Sequence, residues 1–126
     1  MHSGFWSAKS FKAAVEKLEP SVHQFFPVDL RWDDGSHAAQ RYWFMPGNRL
    51  DSVDRRETTF EFRGLWDILG GADKELVFNR SQIGDRQVWI DMFIHAPHPI
   101  ISDALKAELE GAGISGAHYR HCRDVE

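Results

Sequence analysis

Histidine, cysteine and paired carboxylates are the side chains here with chemistry to offer, and their spacing decides what they can do. His95 and His98 are three apart, as are His118 and His121, with Cys122 next in the chain. Imidazole and thiolate are ordinary zinc ligands. On an extended strand, however, residues three apart point to opposite faces, so His118 and His121 diverge. Pro97 interrupts the first pair, and Cys122 is the single cysteine, so there is no Cys-x-x-Cys arm. The spacing argues against a metal centre, and no cofactor is expected. Cys122 beside His121 has the composition of a nucleophile and its base, but strand neighbours face apart, and no Gly-x-Ser-x-Gly elbow is present. Gly70-Gly71 lacks the Lys-Ser/Thr of a phosphate loop and reads as a turn. Asp33-Asp34 fits a hairpin turn, where Asp hydrogen-bonds the local backbone. Asp51 and Asp54 lie among Arg49, Arg55 and Arg56, which favours ion pairs over a carboxyl group kept protonated for acid catalysis. No catalytic residue emerges.

The elements that would hold these residues are readable from periodicity. Ser7 has the chemistry of an N-cap, and Phe11, Ala14, Val15 and Leu18 follow at helical spacing up to Pro20. Trp6 would pack as a staple against that helix. From Val22 the period becomes two. Val22, Phe26, Val28, Leu30 and Trp32 share one strand face, opposite His23, Asp29 and Arg31. Asp33-Asp34-Gly35-Ser36 turns the chain, and residues 38–45 return as the second strand of a hairpin. Residues 47–57 are polar and read as an exposed loop. Residues 58–63 alternate weakly as a further strand, and 65–69 suit one helical turn. A second hairpin is expected from residues 76–78 and 88–94 around Gly84-Asp85. Ser102 then caps a second amphipathic helix with Leu105, Leu109 and Ala112 on one face and Gly113 at its end. A short strand over 117–121 follows. Trp32, Trp43 and Trp89 fall on strands and read as core.

Together these elements predict one α+β domain over residues 1–126, a mainly antiparallel sheet with two amphipathic helices packed on it. With 42% apolar residues in 126, the chain can bury a core without disulfides or metals. A net charge of −4 disfavours nucleic acid as the main partner and mildly favours a basic protein. No apolar run approaches the ~20 residues needed to span a bilayer, so no membrane role is expected. The N-terminus shows no basic segment followed by an apolar one, and the expected location is the cytoplasm.

Three stretches carry a family likeness. They are His23-Gln24-Phe25-Phe26-Pro27-Val28-Asp29-Leu30, then Asn48-Arg49-Leu50-Asp51-Ser52-Val53-Asp54, then Ile101-Ser102-Asp103-Ala104-Leu105-Lys106 with Gly113-Ile114-Ser115-Gly116. In this order they resemble the bacterial immunity protein 11 family, formerly a domain of unknown function. The likeness covers most of the chain and is least clear over residues 60–85. It implies a non-catalytic antitoxin that binds and neutralises a cognate toxin of a polymorphic or contact-dependent system, such as an effector delivered by type VI secretion. Many such toxins attack nucleic acids, so the implied partner includes nuclease effectors. The likeness also implies Phe26, Val28 and Leu30 as core, Asn48 and Asp51 as loop-fixing hydrogen-bonders, and Gly113 and Gly116 as backbone positions. Two rival readings are a small hydrolase using the histidine-rich C-terminal strand and a non-catalytic adaptor. For toxin binding, Asp33 and Asp34 in the turn and Arg49, Asp51, Arg55 and Arg56 in the loop are the expected residues. Both segments would be exposed and would meet a basic active-site cleft, blocking it by charge and shape.

Overall fold

Strands β2 (Gln24–Arg31) and β3 (His37–Met45) form a long antiparallel hairpin in the computed structural model, which describes residues 5–7, 9–68, 71–95, 98–114 and 119–126. Strand β1 (Phe5–Ser7) pairs antiparallel with the other edge of β3, so the sheet runs β1-β3-β2. The hairpin turn needs Gly35 at φ +86°, a left-handed conformation that glycine adopts without a Cβ clash. Helix α1 (Lys9–Leu18) covers one face of this sheet. Phe11 meets Phe44 edge-on at 5.3 Å, and Phe25 stacks on Phe44 at 4.9 Å. Helix α3 (Asp103–Gly111) adds Leu105 and Leu109 to the same core as Ala14, Val15 and Phe44. Each helix has a single apolar stripe: α1 lays its own on the sheet, and α3 buries its own against α1 together with Val88 and Ile101. Ser102 caps α3 as expected, its hydroxyl accepting the Leu105 N–H at 3.0 Å.

The second half of the chain is built from short pieces. These are β4 (Arg49–Leu50), β5 (Val77–Asn79), helix α2 (Arg80–Ile83), β6 (Val88–Asp91), β7 (Ile100–Ile101) and β8 (Arg123–Val125). Strand β6 is central, with β4 parallel on one side and β7 antiparallel on the other. Strands β5 and β8 pair in parallel. A second core gathers Val53, Phe60, Trp66, Leu76, Phe78, Trp89 and Ile94. The whole is an α+β fold with mostly antiparallel strands.

Several expectations change. Ser7 ends β1 opposite Tyr42, and α1 begins at Lys9; the capping side chain expected of Ser7 lies outside the described side chains. The staple expected of Trp6 lies outside the described side chains. The second hairpin does not form. Asn79 accepts the Ser81 N–H at 3.0 Å and caps α2, so β5 turns away from β6 and pairs with β8. Residues 58–63 and 65–68 make neither strand nor helix; isolated bridges join Phe62 to Trp66 and Trp66 to Ile94. Leu69 lies outside the described residues. The last strand sits at Arg123–Val125 and not at 117–121, of which 117 and 118 lie outside the described residues. Ala112 is exposed beyond the end of α3.

The largest correction concerns β2. Phe26, Val28 and Leu30 do share a face, but it is the one away from α1, so they are not core. Phe25, one residue out of phase, takes the buried side. Trp32 lies past the strand end and is 66% exposed.

Candidate protein-interaction surface

The hairpin tip holds Asp33 and Asp34. Asp34 accepts the Ser36 N–H at 2.8 Å and the Ser36 hydroxyl, and those bonds, the hydroxyl first, lower its pKa. Arg31 donates to the Gly35 carbonyl at 2.9 Å and pairs with Asp29 at 2.6 Å. His37 also meets Asp29, at 2.7 Å, and is the main reason the Asp29 pKa is lowered. Asp33 alone at the tip has no hydrogen-bonding or ionic partner among the described residues. Its carboxylate therefore faces water, ready for an external cation.

The other predicted segment, residues 47–57, is not simply an exposed loop. Leu50 is half-buried, and Ser52 and Val53 are buried. They are drawn in by β4 pairing with β6 and by Asp91 at the end of β6. Asp91 is fully buried and accepts four hydrogen bonds. Its Oδ2 takes the Ser52 N–H and hydroxyl, each at 2.8 Å, and the Val53 N–H at 3.2 Å. Its Oδ1 takes the Phe93 N–H at 2.8 Å. The Ser52 hydroxyl in turn accepts the Trp89 indole N–H at 3.0 Å.

From this anchored base the charged side chains project. Arg55 pairs with Asp51 at 3.3 Å and lies over the Phe62 ring at 4.0 Å, with Phe93 and Trp66 beyond at 5.5 and 6.0 Å. Asp54 accepts the Glu57 N–H at 2.8 Å, the Arg56 N–H at 3.1 Å and the Asn79 amide at 3.2 Å. These bonds, the Glu57 one foremost, lower its pKa. A cleft of about 210 Å³ lies between Asp51, Asp54, Arg55, Arg56, Asn79 and Gln82.

The structure thus brings Asp51, Arg55 and Arg56 together, with Arg49 exposed on neighbouring β4. It places Asp33 and Asp34 past the other end of β3, a strand about 26 Å long at ~3.3 Å per residue. Sequence reasoning missed the platform of Phe62, Trp66 and Phe93 under Arg55. Its members come from separate segments, and only the Phe62–Trp66 spacing hinted at a pair.

The other rival site is the C-terminal region. Cys122 packs against the second core, and burial pushes its thiol pKa up. That is the reverse of what a nucleophile requires. His121 is exposed, and His118 lies outside the described residues. Among the described residues no group of three or more His, Cys, Asp or Glu could hold a metal, and no helix is long and apolar enough to cross a membrane.

Comparison with known protein families gives a match over nearly the whole chain. The model of the immunity protein family Imm11 matches residues 2–124. No curated protein and no solved structure matches the chain.

Proposed function

Because the chain belongs to the Imm11 immunity protein family, we propose that it binds a cognate bacterial toxin and silences it without chemistry of its own. The family match, spanning nearly the whole chain, is the observation that carries this reading. Supporting it, the one cysteine has a raised pKa, while charged and aromatic side chains are exposed at the hairpin tip and around Arg55. Asp33 and Asp34 at the tip, with Arg49, Asp51, Arg55 and Arg56 at the opposite end, would form the charged rim of the interface. The unengaged Asp33 suits a basic cleft of the kind a nuclease effector presents to phosphate. The chain would act in the cytoplasm, against a toxin delivered by a neighbouring cell through type VI secretion.

The test is co-expression with the toxin encoded at the same locus. Protection is expected, with a complex that survives gel filtration at nanomolar affinity, about 12 kcal/mol of binding free energy. Equal killing with and without the chain, and no complex, would overturn the reading.

A further inference from the structure

We propose that the open face of the β1-β3-β2 sheet is the centre of the toxin-binding interface, and that the toxin meets it with an apolar patch surrounding a carboxylate that pairs with Arg41. This rests on the antitoxin reading above and assigns the partner's chemistry.

The face is apolar where it should be wet. Phe26 pairs with Trp43, Val28 with Arg41 and Leu30 with Ala39, all on the side away from α1. On this face Phe26 is 49% exposed and Leu30 is exposed with it, and Val22 and Trp32 are exposed just beyond the two ends of β2. Exposed apolar surface concentrated on one face marks an interaction site more often than scattered residues do. Pro27 stands in edge strand β2 and has no N–H to offer an incoming strand, so the edge is a poor template and the face is what remains.

Arg41 defines the partner. It is the one charged residue among those paired on this face, and its guanidinium donates to the Gln40 carbonyl at 3.1 Å. No carboxylate pairs with it among the described residues. Covering the face would strip Arg41 of water, which costs heavily unless the partner supplies an anion. A second copy of this chain fits badly. A two-fold contact centred on Arg41 sets two guanidinium groups against each other, and one shifted to the hairpin tip leaves Phe26 uncovered. The net charge of −4 adds repulsion between copies. A different protein with an acid-centred apolar patch suits the face. The face also lies between the tip aspartates and the Arg49–Arg56 segment. About 26 Å long and two to three strands wide, the face covers roughly 250–370 Å², so the tip and the Arg49–Arg56 segment would supply the rest of the ~800 Å² that one partner contributes to a standard interface.

The experiment measures affinity for a catalytically inactivated toxin from the same locus, using wild type, Arg41→Glu, Phe26→Ala and Trp32→Ala, with Glu61→Ala as control. Urea midpoints check each fold. Trp32 is exposed beyond the strand end, so its variant stays informative even where another is destabilised. Arg41→Glu and Phe26→Ala are expected to weaken binding at least about 30-fold, the hot-spot range, with the control unchanged. Reversing one toxin acid to Lys should restore binding to Arg41→Glu. Wild type binding tightly while all three variants stay within threefold of it would overturn this inference alone. Failure of wild type to bind would overturn the antitoxin reading with it. A wild-type dimer in solution that Phe26→Ala dissociates would give the face to a second copy and likewise overturn the proposal.

Discussion

Replacing Asp91 should damage this fold more than any surface change, and the size of the effect follows from its four accepted bonds. Among the described residues Asp91 has no cation beside it; its partners are the N–H groups of Ser52, Val53 and Phe93 and the Ser52 hydroxyl. A buried ion pair exchanged for hydrophobic residues can be neutral, because both charges go together. Here only the acceptor would go, and the backbone donors would stay. Each buried donor left without a partner costs about 1–3 kcal/mol. Three backbone donors give roughly 3–9 kcal/mol for Asp91→Ala, at the low end where water enters the space. A domain of this size has about 5–15 kcal/mol in all, so the variant should be barely folded. Ser52→Ala removes one bond to Asp91 and orphans the Trp89 indole, for about 1.5–3 kcal/mol. Because the residues touch, the double variant should cost less than the sum, by about 1 kcal/mol or more. Urea unfolding followed by tryptophan fluorescence measures all three, since Trp66 and Trp89 are buried. An Asp91→Ala protein within 1 kcal/mol of wild type at unchanged m-value would refute the argument that Asp91 holds residues 50–53 in place.

Two further outcomes test local geometry. Gly47→Ala should lose about 1–3 kcal/mol by overpacking, because its Cβ would fall 2.0 Å from the Val22 carbonyl oxygen; a urea midpoint equal to wild type would contradict this. Asp54 has a lowered pKa in the fold, so its contribution is present above the ordinary carboxylate pKa of 3.8 and lost as pH falls through the lower folded value; the stability gap between wild type and Asp54→Asn should shrink from pH 6 to pH 2.5, and a gap that widens would be wrong in sign.

Local signals made the hairpin and both long helices legible. Alternation marked β2 and β3, Asp-Asp-Gly-Ser marked their turn, and Ser102 marked the start of α3. Alternation also showed that Phe26, Val28 and Leu30 share a face, yet it could not say which face α1 would cover. Phe25 and Phe26 are chemically equal candidates for burial, and only the packing of Phe11 against Phe44 breaks the tie. The remaining strands are two to four residues long and pair across large sequence separations, Val77 with Arg123 for example. Such parallel pairings leave no turn signature, so a false hairpin around Gly84 looked sound. In the candidate site, the charge cluster from Arg49 to Arg56 was visible as composition. The aromatic platform beneath Arg55 and the carboxylate of Asp91 behind Ser52 were not: Phe93 and Asp91 come from about 40 residues away, and Phe62 and Trp66 reach Arg55 through an irregular segment that leaves no periodic signal.

The two cores share β6 and β7, with Val88 and Ile101 in one and Trp89 and Ile100 in the other, and a buried clasp at the root of the hairpin adds a polar tie between them. Glu19, just past α1, accepts the Val88 N–H at 3.1 Å and the Asn48 amide at 3.0 Å. It also meets His23 Nε2 at 2.8 Å. The Gly47 N–H donates to His23 Nδ1 at 2.8 Å, which assigns the ring proton to Nε2 and makes that nitrogen the donor to Glu19. Asn48 also donates to the Val88 carbonyl at 2.9 Å. The His23 side chain is 1% exposed, so these bonds form out of water, where geometry is enforced most strongly. One carboxylate thus joins the end of α1, the start of β2, the exit of β3 and the start of β6. The clasp ties the root of the open sheet to the start of the Arg49–Arg56 segment. A partner that contacted both at once would depend on how the clasp holds them, and half-buried Asn48 would then affect recognition without touching the partner.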